Sequence, residues 1–272
     1  MNQLLFLSGA ALVGTFGGLN PAFAGSFAPA AGQTGSTAIH KDDVAFVGWA
    51  TGATVVRGLA DIANPGGANA SFGTDSEAIG KAEGTSLDVV SLGDGGSAIL
   101  TFDTAIANGD GADFAVFENS FSDVFLELAF VEVSSDGINF FRFDAVSETQ
   151  TTTQVGGFGT LDPTNLDNLA GKYRQGYGTP FDLEELVGTI GLDVNNITHV
   201  RVVDVVGSIN PLHATTDSLG NVINDPYATP FSSSGFDLDA VGVINVVPEP
   251  GAMLIATLGL FGLAVRGRQR TI

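Results

Sequence analysis

Short apolar runs separated by turn residues make up most of the chain between residues 44 and 245. The runs are rich in Val, Ile, Phe and Thr, they are bounded by Gly, Asp and Asn, and they show almost no helical periodicity, which is typical of β-strands. We therefore predict an all-β protein, a single β-sandwich or jelly roll with long surface loops and one short helix. The predicted strands are 44–49, 54–59, 97–102, 113–118, 126–134, 140–145, 199–206 and 236–245.

Turn residues place a hairpin and two long loops within this pattern. Asp136 and Gly137 stand between two alternating apolar runs, which predicts a β-hairpin over residues 131–141. Residues 149–178 and 210–235 are dense in polar and turn-forming residues and have little apolar periodicity. Both segments are therefore predicted to lie on the surface, at the ends of the sandwich.

Capping signals predict the one short helix. Thr179 can cap it, Pro180 fits its first position, and Asp182 stands where a capping box has its acidic residue. Residues 183–187 follow as the rest of the predicted helix, which interrupts a long loop.

The first 24 residues have the pattern of a secretory signal peptide. Residues 4–19 are apolar and rich in small residues, and Ala22 and Ala24 follow in an Ala-x-Ala cleavage pattern. The predicted domain organisation is therefore a signal-peptide helix over residues 1–24, a β-sandwich body over 25–246, and a tail over 247–272.

The tail combines a Pro-Glu-Pro tripeptide, an apolar run without charge and a terminal arginine cluster. Its fifteen apolar residues, 251–265, would form a helix roughly 22 Å long. This is short for a hydrocarbon core of about 30 Å, so membrane contact through the helix is predicted to be transient or marginal. The motif residues are Val247, Pro248, Glu249, Pro250, Arg266, Arg268 and Arg270.

This arrangement closely resembles the PEP-CTERM sorting signal of Gram-negative bacteria that make exopolysaccharide. The resemblance implies that an exosortase recognises the tail and cleaves it near residues 248–250, and that the body is delivered to the cell surface or extracellular matrix. The alternative is an ordinary C-terminal membrane anchor, with the arginines on the cytoplasmic side. Both interpretations place the body outside the cytoplasm.

Composition limits the partners of the body. The chain has a formal net charge of −20, and because three of its ten basic residues lie in the tail, the body has seven basic residues against 29 acidic ones. Such a surface repels nucleic acid and attracts divalent cations, although acidity also keeps a secreted protein soluble. The chain has no cysteine, so its stability depends on packing, hydrogen bonds or bound ions.

Carboxylates at strand edges and Gly turns are candidate ligands for a structural Ca²⁺, which prefers hard oxygen donors. Period-two geometry places Asp237 and Asp239 on one face of a strand, where two like charges need a counter-ion such as Ca²⁺ or Arg201. The alternative is that these residues only shape turns. The candidate ligands are Asp94, Asp110, Asp113, Glu118, Asp237 and Asp239.

Several segments of the body resemble bacterial cell-surface proteins that have galactose-binding-like, discoidin-type sandwiches. The resemblance rests on residues 91–102, 111–119, 131–140, 168–173, 178–183 and 235–241. It implies about eight strands in two sheets, often a structural Ca²⁺, and ligand-binding loops at one end. It implies no characterised activity.

A ligand-binding surface is predicted at Tyr173, Arg174 and Tyr177, on a glycine-hinged loop, because tyrosine rings stack on sugar faces. The alternative is that the two rings pack within the loop. The chain has neither a Gly-x-Ser-x-Gly nor a His-Glu-x-x-His motif, so no catalytic residue is predicted.

We therefore expect a non-catalytic structural or adhesive protein of the cell surface, stabilised by Ca²⁺ and requiring no other cofactor. Its predicted partners are an exosortase and an exopolysaccharide or other surface glycan. The alternatives are a carbohydrate-binding module and a glycoside hydrolase that uses a carboxylate pair.

Overall fold

Thirteen strands and three short 3-10 helices form the body of the protein, which the computed structural model describes over residues 25–248. The predicted signal peptide and the apolar run of the tail lie outside the described residues. The strands are β1 (Ile39–His40), β2 (Gly48–Trp49), β3 (Gly52–Val56), β4 (Val90–Ser91), β5 (Ser97–Ile106), β6 (Phe114–Glu118), β7 (Ala129–Ser134), β8 (Phe141–Arg142), β9 (Val146–Ser147), β10 (Leu166–Asp167), β11 (Tyr177–Phe181), β12 (Ile197–Asp204) and β13 (Asp237–Val243). The 3-10 helices are Asp75–Ala78, Pro163–Asn165 and Leu183–Leu186.

The strands form two antiparallel sheets that enclose the core. One sheet has the order β1-β11-β6-β13-β2, with β4 also paired to β13, and the other has the order β3-β5-β12-β7-β8. A separate short ladder joins β9 and β10. This arrangement confirms the predicted all-β class and is consistent with a β-sandwich. The more specific discoidin-type assignment remains a prediction.

Aromatic rings fill the centre of the core. Phe114 of β6 stacks on Phe181 of β11 with 5.4 Å between ring centroids, and Phe143 packs 5.1 Å from Phe181. Alternating residues of β12 face the same core, among them Val200 and Val202. Residues two apart in a strand lie on the same face, so Val200 and Val202 both point into this core.

Strands β6 and β13 are buried along their whole length, because their outer faces are also covered. Phe46 and Trp49 pack on Phe117, with centroid distances of 5.6 and 5.5 Å, and form a second small apolar cluster outside the sheet. A strand covered on both faces shows a continuous apolar run, as residues 114–117 do.

All eight predicted strands overlap a strand of the structure, and the predicted hairpin is confirmed. Strand β7 pairs with β8 through Glu132–Arg142 and Val133–Phe141. At the turn, Gly137 has a φ of 73°, and the Asp136 carboxylate accepts hydrogen bonds from two following backbone amides. The Asp-Gly pair therefore makes the turn that its chemistry predicts.

The predicted helix begins later than expected. Thr179 and Pro180, assigned to the helix cap and first turn, instead belong to β11, and the cap is Asp182, whose carboxylate accepts from the Glu184 amide. Strand β1 pairs only with the first two residues of β11, so Pro180 lies where one side of the strand has no partner. A residue without an N–H is tolerated at such a position.

Among residues 25–248, no helix has the length and apolar character that crossing a bilayer requires.

Candidate functional site

One end of the sandwich gathers carboxylates that are almost completely buried. Strands β6 and β12 end there, and strands β7 and β13 begin there. Because antiparallel strands alternate in direction, residues distant in sequence meet at this edge. The five carboxylates, which we call the acidic cluster, are Glu118, Glu127, Asp204, Asp225 and Asp237, and each is less than a tenth exposed.

Asp204 and Asp237 are well supplied with hydrogen-bond donors. Asp204 accepts from the backbone amides of Phe236 at 2.7 Å and Gly95 at 2.9 Å, and so connects the end of β12 to the start of β13. Asp237 accepts from the Ser91 hydroxyl and from the Asn119 side-chain amide. These two carboxylates therefore help to fix the edge of the sandwich.

The other three carboxylates have oxygens without a donor. Glu118 Oε1 and Asp225 Oδ1 are buried and have no hydrogen-bond partner among the described residues. Their second oxygens accept from backbone amides, of Ser120 at 2.7 Å and Leu128 at 2.9 Å, respectively. The Glu127 carboxylate accepts no hydrogen bond from any residue in 25–248. Such groups are costly to bury in their charged form.

Burial is the main cause of the raised pKa values in the cluster. It raises the pKa of Glu118, Glu127, Asp204 and Asp225 well above the ordinary values of these carboxyl groups, and the neighbouring carboxylates raise each of them further. Burial raises the pKa of Asp237 to about 6, against the opposing effect of its hydrogen bonds. Several carboxylates thus share a region with little compensating positive charge.

The positive charge of Arg57 lowers the pKa of one cluster member, Asp237. Its guanidinium makes its hydrogen bonds to backbone, because it donates to the carbonyl oxygens of Phe72, Gly73 and Ser91. The negative charge of the cluster is therefore available to a cation from solution.

An aromatic cleft of about 420 Å³ opens above the cluster. Its rings form a row in which Phe121 stacks on Phe125 at 4.5 Å, Phe125 on Phe158 at 6.2 Å, and Phe158 packs against Phe231 at 5.9 Å. Phe121, Phe158 and Phe231 are 63%, 74% and 48% exposed. We call this the Phe cleft.

The polar lining of the Phe cleft is acidic or neutral. Glu127 and Asp237 reach it from the acidic cluster, and Asn119 lies beside them. No Lys, Arg or His is among the described residues that line it. The cleft therefore combines exposed aromatic faces, two carboxylates and an amide, which is a suitable set of groups for a small polar ligand with an apolar face.

The candidate Ca²⁺ ligands do not all lie together. Glu118 and Asp237 belong to the acidic cluster, and Asp94 lies near enough to raise the pKa of Asp204 and Asp225. Within residues 25–248, no three Asp, Glu or His side chains are arranged to hold a metal ion.

The remaining candidate ligands hold turns and loops elsewhere. Asp113, at the opposite end of the sandwich, accepts from the amides of Gly109 and Leu183 and from the Asn245 side chain. Asp239 accepts from the amides of residues 83 and 84, and Asp110 is exposed.

The predicted tyrosine surface is engaged in packing. Tyr173 is 1% exposed, and its hydroxyl lies 2.8 Å from the Thr37 hydroxyl. Arg174 pairs with Asp123 at 2.5 Å and lies over the Tyr177 ring at 4.5 Å. These side chains connect the loop before β11 to the rest of the body, and they do not line the Phe cleft.

Sequence reasoning did not find Glu127, Asp204 or Asp225. Two of them carried a signal, because Glu127 and Asp204 interrupt the apolar runs 125–130 and 202–206 with a charge. An acid inside a buried strand pattern needs an explanation, such as a ligand or a backbone cap. The sequence gives no comparable signal for Asp225, which lies in a polar loop.

The comparisons with known proteins concern the tail. Residues 246–269 match the model of the PEP-CTERM protein-sorting motif. The match supports the prediction of an exported protein of the Gram-negative cell surface that an exosortase processes. No curated protein and no solved structure matches the chain.

Proposed function

We propose that the body is a non-catalytic, adhesive module that binds a segment of surface glycan or exopolysaccharide in the Phe cleft. The observation that carries this proposal is the row of exposed Phe rings above the Glu127 and Asp237 carboxylates. Sugar rings have apolar faces that pack on aromatic rings, and their hydroxyl groups donate hydrogen bonds to carboxylate and amide oxygens.

The exposure of the rings supports ligand binding. Phe121, Phe158 and Phe231 lie side by side at one end of the sandwich and leave much of their apolar surface to water. Contiguous exposed apolar surface rimmed by polar groups is typical of a binding site. Delivery by the sorting motif to a surface that carries polysaccharide would put such a ligand within reach.

A glycoside hydrolase is the second candidate, because Glu127 and Asp237 line the same cleft. In a hydrolytic pair, one carboxyl group must hold a proton while the other stays ionised, so their environments usually shift the two pKa values apart. Burial raises the pKa of both Glu127 and Asp237. An assay for new reducing ends distinguishes this candidate from the non-catalytic proposal.

A structural Ca²⁺ is the second part of the proposed function. The two orphaned buried oxygens, Glu118 Oε1 and Asp225 Oδ1, are the hard donors that this ion prefers. Since no three acidic side chains converge among residues 25–248, backbone, hydroxyl or water oxygens would complete the coordination. The ion would neutralise part of the charge of the acidic cluster.

Glycan binding is tested with the mature body and the exopolysaccharide of its own organism, by calorimetry and by assay of new reducing ends. Phe158→Ala and Phe231→Ala should weaken binding about fivefold or more, since stacking on one ring contributes about 1 kcal/mol or more. Ile190→Ala, which removes an exposed apolar side chain outside the cleft, is the matched control. Release of reducing ends would establish the hydrolase instead, and absence of any glycan binding would overturn the proposal.

The Ca²⁺ proposal is tested by thermal unfolding of the same body with excess Ca²⁺ and with a chelator. An ion that binds only the folded state should raise the Tm by several degrees, and the combined variant Glu118→Gln, Asp225→Asn should remove the difference. Superimposable curves for the unaltered body would contradict the proposal.

A further inference from the structure

We propose that the Phe cleft selects glycans with free amino groups, that is, de-N-acetylated amino-sugar units whose ammonium group is held by the Glu127 carboxylate against the Phe rings. This inference rests on the proposed glycan-binding function and adds to it the chemical class of the ligand. Three observations carry it: the unpaired Glu127, the acidity of the cleft, and the exposed rings.

Glu127 supplies the anchor. Its side chain lines the cleft, is only 7% exposed, and accepts no hydrogen bond from residues 25–248, whereas the neighbouring Asp237 accepts from Ser91 and Asn119. A buried carboxylate without donors is an unfavourable state that a ligand with several N–H groups can relieve. An ammonium group offers three such donors and a full positive charge.

The charge around Glu127 favours a cation over a neutral donor. Burial raises the pKa of Glu127, and the negative charges of Glu118, Asp237 and Asp225 raise it further. The hydroxyl groups of a neutral sugar would supply hydrogen bonds and leave this charge uncompensated. A sulfated or carboxylated glycan would add to the repulsion, because the cleft has no basic residue among its described lining.

The Phe rings favour the same ligand. A cation near the face of an aromatic ring is attracted by the ring quadrupole, and the attraction is larger where water is excluded. Phe125, adjacent in space to Phe121 and Phe158, is 9% exposed and forms the inner part of the row. An amino sugar can thus place its apolar face on the outer rings and its ammonium group at the carboxylate.

The test compares two β-1,4-linked glucosamine oligosaccharides of equal length, one fully N-acetylated and one fully de-N-acetylated, by calorimetry near neutral pH. The free-amine form should bind about 10- to 100-fold more tightly, as expected for one charge-assisted hydrogen-bonded pair. Added salt should weaken binding of the free-amine form and leave that of the acetylated form nearly unchanged.

Glu127→Gln keeps the shape of the side chain and removes its charge. This variant should lose the preference for the free amine, while Phe158→Ala should weaken binding of both forms. Glu184→Gln, which removes an exposed carboxylate outside the cleft, is the control for net charge. Because Glu127→Gln removes a buried charge, its Tm should equal or exceed that of the unaltered body, and this measurement shows that the variant is folded.

The results of these binding measurements distinguish failure of the proposed amino-sugar preference from failure of the proposed glycan-binding function. Equal affinity for the acetylated and free-amine forms, or a preference retained by Glu127→Gln, would overturn the inference and leave the glycan-binding function intact. Tighter binding of a sulfated or carboxylated oligosaccharide would overturn it as well. If neither these oligosaccharides nor the exopolysaccharide of the organism binds, the proposed function itself fails.

Discussion

Replacing Asp237 by asparagine removes one buried charge and keeps the shape of the side chain. Burial raises the pKa of Asp237 from 3.8 to about 6. Because this pKa is raised, the favourable state is the protonated one, and its contribution to stability is present below pH 3.8 and lost as the pH rises through about 6. The difference between these two values corresponds to about 3 kcal/mol of destabilisation once Asp237 is fully ionised.

An asparagine at this position can still accept from the Asn119 amide and can donate to the Ser91 hydroxyl, the two groups that now bind Asp237. Exchange of charge-assisted for neutral hydrogen bonds should cost about 1 kcal/mol, so the net gain at about pH 8 is about 2 kcal/mol. For a body of this size, that gain corresponds to a rise in Tm of roughly 4–8 °C.

The assay is calorimetric unfolding of the mature body and of Asp237→Asn with a chelator present, at about pH 8 and about pH 4. The variant should be more stable at the higher pH and no more stable at the lower one. The control is Asp110→Asn, the same substitution at an exposed carboxylate. It should alter the Tm little at either pH. An equal effect of Asp237→Asn at both pH values, or destabilisation at about pH 8, would refute the reasoning from buried charge.

Three further predictions concern the core, the opposite end of the sandwich and the tail. Phe114→Ala should lower the free energy of unfolding in urea by about 3–5 kcal/mol, because the ring is fully buried and stacks on Phe181; a loss below about 1 kcal/mol would contradict the packing. Asp113→Ala should cost about 3 kcal/mol in the same assay, since three donors lose their acceptor, and Asp113→Asn should cost less. Deletion of residues 249–272 should leave the Tm of the body unchanged and should release the protein to the medium or the periplasm, as cell fractionation would show; unchanged surface location would count against the sorting motif.

The acidic cluster lowers the stability of the folded state, and a bound cation can offset this loss. Glu118 and Asp225 each have a buried carboxylate oxygen without a donor, and burial together with like charges raises their pKa values. Anything that binds the folded state and supplies positive charge there will raise its stability. A Ca²⁺ below the cleft and an ammonium group within it would act on different members of the cluster, Glu118 and Asp225 in one case and Glu127 in the other.

Local patterns predicted much of the fold. The apolar run predicted strand β12, and the Asp136-Gly137 pair predicted the β7–β8 hairpin, because both features depend on neighbouring residues alone. The same reasoning failed at Thr179 and Pro180, whose helix-capping preference is overruled by the pairing of β11 with β6. Strand pairing between distant segments is a property of the tertiary structure, and local propensity yields to it.

The sequence by itself determined the class of fold and the destination of the chain, since a sorting motif is read as a linear segment and strand alternation repeats every two residues. Only the tertiary structure decided which acidic residues come together at the candidate site. Glu118, Glu127 and Asp237 come together because antiparallel strands of both sheets end or begin at one edge, over a separation of more than 100 residues. The Asp113 and Asp239 carboxylates hold the backbone of neighbouring loops through hydrogen bonds, and no count of acidic residues along the chain can distinguish this role from ligand binding.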